Sequence, residues 1–116
     1  MYDENNIFAK IIRGEIPCEK VYEDNEVLFF KDISPIAKVH VLGIPKSQCV
    51  DFSDFISKNT PTKISEFFNK THLVIQKLGI AKDGYKVISN SGTNGGQEVP
   101  HFHIHILGGQ KVNLSI

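Results

Sequence analysis

The sequence predicts an α+β domain: a five-stranded antiparallel meander with one long helix on a face and a short N-terminal helix. Three observations carry this expectation. Short runs rich in Val, Ile, Tyr and Phe are separated by Gly, Pro, Asn and Asp, as strands and turns are. Between Asp51 and Ala81 the apolar period becomes helical. The length, 116 residues, suits one compact core, so residues 1–116 are read as a single domain.

The elements follow in order. Residues 6–13, NIFAKIIR, place Ile7, Ile11 and Ile12 on one helical face, with Asn5 or Asn6 as N-cap and Gly14 ending the turn. Pro17 then forces an extended segment. Val21–Glu23 and Glu26–Lys31 are strands joined at Asp24-Asn25, a two-residue hairpin signal. Val39–Ile44 is a third strand, stopped at Pro45. Ile64, Phe67, Phe68, Thr71, Val74, Ile75 and Leu78 follow i, i+3, i+4 spacing, with Pro61 in the first turn and Gly79 past the last. His72 falls at the edge of that stripe and reads as a surface or partly buried residue. Tyr85–Ser89 resumes a strand, Ser91–Gln97 (SGTNGGQ) is a glycine-rich loop, and Phe102–Leu107 is the last strand.

Composition excludes several classes. Lys plus Arg and Asp plus Glu are equal at 13 each, which provides no broad pull toward nucleic acid or an anionic membrane. A small anion held by local groups remains compatible with that balance. Cys18 and Cys49 form no metal or CxxC spacing and read as small buried hydrophobes. MYDENNIF lacks the apolar core of a secretory signal, and no run approaches the roughly 20 apolar residues of a membrane span. The expected compartment is the cytoplasm.

Chemistry concentrates in VPHFHIHILGG. On a strand, His101, His103 and His105 share one face, while Phe102, Ile104 and Ile106 share the other and meet the helix. The histidines then face a cleft or the surface. A polar strand face that happens to use histidine is one reading, but three of the chain's five histidines lie here. A zinc centre is another. Against it, the first and third histidines lie roughly 13 Å apart along a strand, too far to share one ion with bonds of about 2 Å. The third reading is a histidine nucleophile at phosphorus with a second histidine handling the leaving-group proton. That chemistry needs an anion cradle, and Gly95-Gly96-Gln97-Glu98-Val99 immediately upstream can turn backbone N–H groups toward a phosphate.

GGQEVPHFHIHILGG resembles the signature of the histidine triad (HIT) superfamily. NIFAKIIRGEIPCEKVYEDNEVLFFKDISPIAKVHVLGIPK and VISNSGTNGGQ are similar to the Hint branch of nucleoside phosphoramidases. The resemblance implies a homodimer whose two sheets join into one of ten strands. It also implies hydrolysis of purine nucleoside 5′-phosphoramidates, such as AMP joined to an amine, with no cofactor and no metal. By the same resemblance His103 is the nucleophile, His105 contacts the phosphate and protonates the amine, and His101 and His40 complete the histidine network. Asp32 would bind the ribose, and Ile7, Phe8, Ile16, Phe30 and Ile33 would line the base pocket, although each also reads as core or turn. Asn90, Gly96, Gln97 and the backbone at Glu98–Val99 would hold the phosphate.

Two departures stand out. Glu98 occupies a position usually held by serine in Hint proteins, so its side chain is expected to point away while its N–H is used. Leu114 stands about where those proteins carry an aromatic near the C-terminus, which leaves open the specificity for the amine. The alternatives are a dinucleotide polyphosphate hydrolase using the same nucleophile, a nucleotide-binding regulatory module with weak activity, and a zinc hydrolase.

Overall fold

A computed structural model describes residues 1–113; Leu114 and the specificity question attached to it lie outside that range. The order of elements is α1 (Ile7–Ile12), β1 (Lys20–Glu23), β2 (Val27–Lys31), β3 (Val39–Pro45), α2 (Phe52–Lys58), α3 (Pro61–Lys77), β4 (Tyr85–Ile88) and β5 (Ile104–Gly108). The five strands form one antiparallel sheet, as expected, in the order β1-β2-β3-β5-β4. A meander holds only locally. After β3 the chain crosses a face through α2 and α3, returns as the edge strand β4, and β5 inserts between β4 and β3.

Local chemistry explains the helix ends. Asn6 Oδ1 accepts the Ala9 N–H at 2.9 Å and Thr60 Oγ1 accepts the Lys63 N–H at 3.2 Å, each supplying one unpaired first-turn donor with a partner. Gly79 follows α3 at φ 73°, a left-handed position that suits glycine. The short helix α2 was not expected. Its signal is Asp51, whose carboxylate caps the Asp54 N–H at 2.9 Å. The β1–β2 turn is shifted by one residue, to Asn25-Glu26, because Asp24 pairs with Val27: its N–H donates to Val27 O, and its carboxylate accepts the amides of Glu26 and Val27.

Both faces of the sheet are covered, so the central strands show no polar alternation. On one face Phe29, Val41, Ile104 and Ile106 pack with Phe55, Phe67, Val74 and Ile75 from α2 and α3. On the other, Leu28, Phe30, Leu42 and Ile44 pack with Phe8 and Ile11 from α1. The buried side of α1 is therefore Phe8, Ala9 and Ile11, whereas Ile7 is 42% exposed and faces away from the core, contrary to the sequence expectation.

Phe102 ties this architecture to the histidines. It is 1% exposed and stacks on Phe55 with ring centroids 4.6 Å apart. Burying a phenylalanine contributes about 1.5–3 kcal/mol, and Phe102 N–H also donates to Cys49 O at 2.8 Å. Pinning Phe102 into the helix-side core leaves the flanking His101 and His103 directed to the opposite side.

Candidate active site

Strand β5 begins at Ile104, so His101 and His103 lie in the segment just before it, and the expected strand from Phe102 starts two residues late. The three histidines consequently take three different environments. His105 pairs in register with Leu42, and His40 with Leu107. Paired residues point the same way, and so do alternate residues along a strand, which brings His40 and His105 together on the α1 face.

Hydrogen-bonding partners assign the ring nitrogens. The Ile36 N–H donates to His40 Nδ1 at 3.2 Å, so the His40 proton sits on Nε2. That nitrogen is 3.0 Å from His105 Nδ1 and 3.4 Å from Asp32 Oδ2. His105 Nδ1 accepts, which leaves its proton on Nε2. His103 Nδ1 lies 2.7 Å from His101 O, and since a carbonyl only accepts, Nδ1 carries the proton and Nε2 keeps its lone pair. His101 donates from Nε2 to Pro45 O at 2.8 Å and accepts at Nδ1 from the Tyr2 hydroxyl at 2.6 Å. Burial lowers all four imidazole pKa values. His101 and His105 fall to about 4, and His40 and His103 shift in the same direction. At neutral pH the cluster is a set of uncharged rings.

Three of these rings, His40, His103 and His105, open on a cavity of about 530 Å³. Of the residues expected from sequence, Phe8, Asp32, His40, His103 and His105 line it, as do Asn90, Gly96, Gln97, Glu98 and Val99. Ile36, Leu42, Ile88 and Leu107 also line it and were missed; sheet register, not their own spacing, puts Leu42, Ile88 and Leu107 there, and Ile36 comes from the loop between β2 and β3. Four expected wall residues lie elsewhere. Ile7 is solvent-facing, Ile33 is 90% exposed, Phe30 is buried in the α1-side core, and Ile16 packs against that core. His101 is fully buried behind His103 and forms no wall. A larger hollow of about 660 Å³ beside β4 has no histidine among its described lining residues, so size does not select the candidate site.

The glycine-rich loop is shaped by its own hydrogen bonds. Gly96 N–H donates to Thr93 O and Gln97 N–H to Gly92 O, both at 3.1 Å. A Cβ on Gly95 would collide with the backbone of Ser91, and Gly96 has φ 74°. The Gln97 side chain is wholly engaged: Oε1 accepts the Gly92 N–H, and Nε2 donates to Val50 O and Val99 O. Asn90 Nδ2 likewise donates to Gly95 O at 2.8 Å. These side chains brace the loop, and the Gly96 and Gln97 amides are already used. Among the described residues, the amides of Glu98 and Val99 make no hydrogen bond and remain available to an anion.

Tyr2 is the residue that sequence reasoning passed over, since nothing near it announces a partner 99 positions away. Asp32, His40 and His105 present ligand atoms within 4.8 Å of one another and could together hold a divalent cation. This is a different set from the three alternating histidines.

Comparison with known proteins places this arrangement. The HIT domain family model matches residues 13–112. The chain belongs to the HIT domain family. An uncharacterized HIT-like protein of Rickettsia prowazekii is 47% identical over 112 residues, covering 97% of this chain and 93% of its own. The purine nucleoside phosphoramidase of Escherichia coli is 42% identical over 107 residues, covering 92% and 89%. Among solved structures, a histidine triad protein from Clostridium difficile superposes with a TM-score of 0.86 at 37% identity over the full length of both chains. A HIT family hydrolase from Clostridium thermocellum gives 0.84 at 38% identity, covering 98% of each. The HIT fold expected from the alternating histidines is therefore the fold this chain adopts.

Proposed function

We propose that this HIT protein is a hydrolase that cleaves the P–N bond of purine nucleoside 5′-phosphoramidates through a nucleotidyl-His103 intermediate. The observation that carries the reading is the bond from His103 Nδ1–H to His101 O at 2.7 Å. It commits one ring nitrogen to the backbone and leaves the other, unprotonated, as the nucleophile. The resemblance to the E. coli purine nucleoside phosphoramidase supports the substrate class.

In the first step His103 Nε2 attacks the α-phosphorus, the bond to the amine nitrogen breaks, and that nitrogen takes the proton from His105 Nε2. An approaching phosphate anion raises the pKa of a neighbouring imidazole, so His105 takes up a proton as substrate binds, and the ring returns to its neutral form when it passes a proton to the departing amine. In the second step water attacks phosphorus, His105 accepts its proton, and the bond to His103 breaks to release the nucleotide. His40 holds His105 through the 3.0 Å contact, and His101 holds His103. The free amides of Glu98 and Val99 receive the phosphate oxygens. Asp32 Oδ1 accepts the Ser34 N–H at 2.8 Å, which leaves Oδ2 for a ribose hydroxyl. Phe8, Leu42 and Ile36 provide apolar walls for a purine.

The test compares wild type and His103→Ala on an adenosine phosphoramidate and on a diadenosine polyphosphate. Comparable turnover by the variant would overturn the nucleophile assignment. Preference for the polyphosphate would favour a dinucleotide hydrolase, and no turnover of either a binding module. We also infer a homodimer through β4. That strand is a sheet edge, with Tyr85 42% and Val87 44% exposed, and an open apolar edge favours pairing with a second copy. Light scattering of Val87→Asp should report a monomer where wild type reports a dimer.

A further inference from the structure

The cavity is charged in an unexpected way for one that receives a phosphate. Its walls carry two carboxylates, Asp32 and Glu98, and no lysine or arginine. The histidines on the wall are kept neutral by burial. Sites that hold polyphosphates or phosphate dianions ordinarily supply fixed cations. Here an anion meets only backbone amides and imidazole N–H groups, with two negative side chains nearby. A phosphoramidate diester-like group carries one negative charge and fits such a site better than a phosphate with two or more.

The two carboxylates are not equivalent. Asp32 is half-buried, anchored by the Ser34 N–H and 3.4 Å from His40 Nε2. Glu98 is exposed and forms none of the ion pairs in the described residues. It follows directly on the phosphate loop and lines the cavity while remaining exposed, which puts the residue where the cavity opens to solvent at its mouth. The leaving amine must depart through that mouth, since the opposite side of the phosphate is occupied by the attacking ring of His103. An unpaired carboxylate at the exit is a ready partner for a positive charge carried by the departing group.

We propose that Glu98 forms a subsite for a cationic group on the leaving amine. The preferred substrates are then nucleoside phosphoramidates of amines that bear a second positive charge, such as diamines. This rests on the phosphoramidase reading above and adds the charge class of the amine to it. Two opposite unit charges about 5 Å apart in a water-exposed site attract by about 1 kcal/mol, which corresponds to a preference of about fivefold in kcat/KM. The preference weakens with salt, because exposed charges are screened.

The experiment uses three AMP phosphoramidates of matched length whose amine ends in a methyl, an ammonium or a carboxylate group. Wild type, Glu98→Gln and Glu98→Lys are compared at low and high salt. The expected result for wild type at low salt is that kcat/KM for the ammonium substrate exceeds that for the methyl substrate by about fivefold, with the carboxylate substrate poorest. In Glu98→Gln the ammonium-to-methyl ratio falls to near one, and in Glu98→Lys the order reverses. Equal kcat/KM for all three in wild type, or an unchanged ratio in Glu98→Gln, overturns the subsite while leaving the phosphoramidase reading intact. No turnover of any of the three overturns both.

Discussion

Acid should destabilise this protein through His101 before it protonates most carboxylates. The imidazole is fully buried, its Nε2–H donates to Pro45 O, and its Nδ1 accepts from the Tyr2 hydroxyl. Protonating Nδ1 would place a charge among apolar groups and oblige the tyrosine to turn its hydroxyl around. Burial therefore lowers the pKa from 6.5 to about 4. In the unfolded chain the same ring takes its proton near 6.5. Between those values the unfolded state binds more protons, so the stability contributed by neutral His101 is present above pH 6.5 and is lost as pH falls toward 4. At about 1.4 kcal/mol per pH unit, the loss at pH 4.5 comes to about 2.5 kcal/mol from this residue alone. Urea unfolding followed by circular dichroism at pH 7.5 and 4.5 measures it. Subtracting the same difference for His101→Gln isolates the residue, and the expected double difference is about 2–3 kcal/mol. A value below about 0.5 kcal/mol would mean that His101 titrates like a solvated imidazole, and the argument from burial would fail.

Three further perturbations test other parts of the structure. Tyr2→Phe leaves a buried His101 acceptor unpaired and should cost about 1–3 kcal/mol, read as a lowered urea midpoint at neutral pH; an unchanged midpoint would refute the contact. Gly43→Ala would drive a methyl into the ring of Phe29 and to 3.1 Å from Ile104, overpacking the sheet by about 1–3 kcal/mol in the same assay. Chelation by EDTA should leave phosphoramidate turnover unchanged if His103 is the nucleophile. Activity lost to the chelator and restored by zinc would instead assign Asp32, His40 and His105 to a metal centre.

Much of the fold was legible because local burial leaves a local trace. The period of Ile64 to Leu78 belongs to a helix with one face on a sheet, and Pro61 and Gly79 stand at its ends. The alternation of Phe102, Ile104 and Ile106 with the histidines marks two differently used sides, and the resemblance to the HIT family put names to the groups on one of them. The periodicity failed where a local pattern admits two faces. Ile7 and Phe8 are equally apolar neighbours on α1, and only contact with Phe30 at 5.6 Å between rings makes Phe8 the buried one.

The sequence by itself pointed to the histidine cluster as the candidate site and to most of the local elements that hold it. It did not determine the strand order, the second core beneath α1 or the unequal environments of the three histidines. Those depend on partners far apart along the chain: Tyr2 with His101, His40 with His105, Gln97 with Val50. Such pairs follow from sheet register and helix docking, which come from the packing of the whole core, and no window of neighbouring residues contains them.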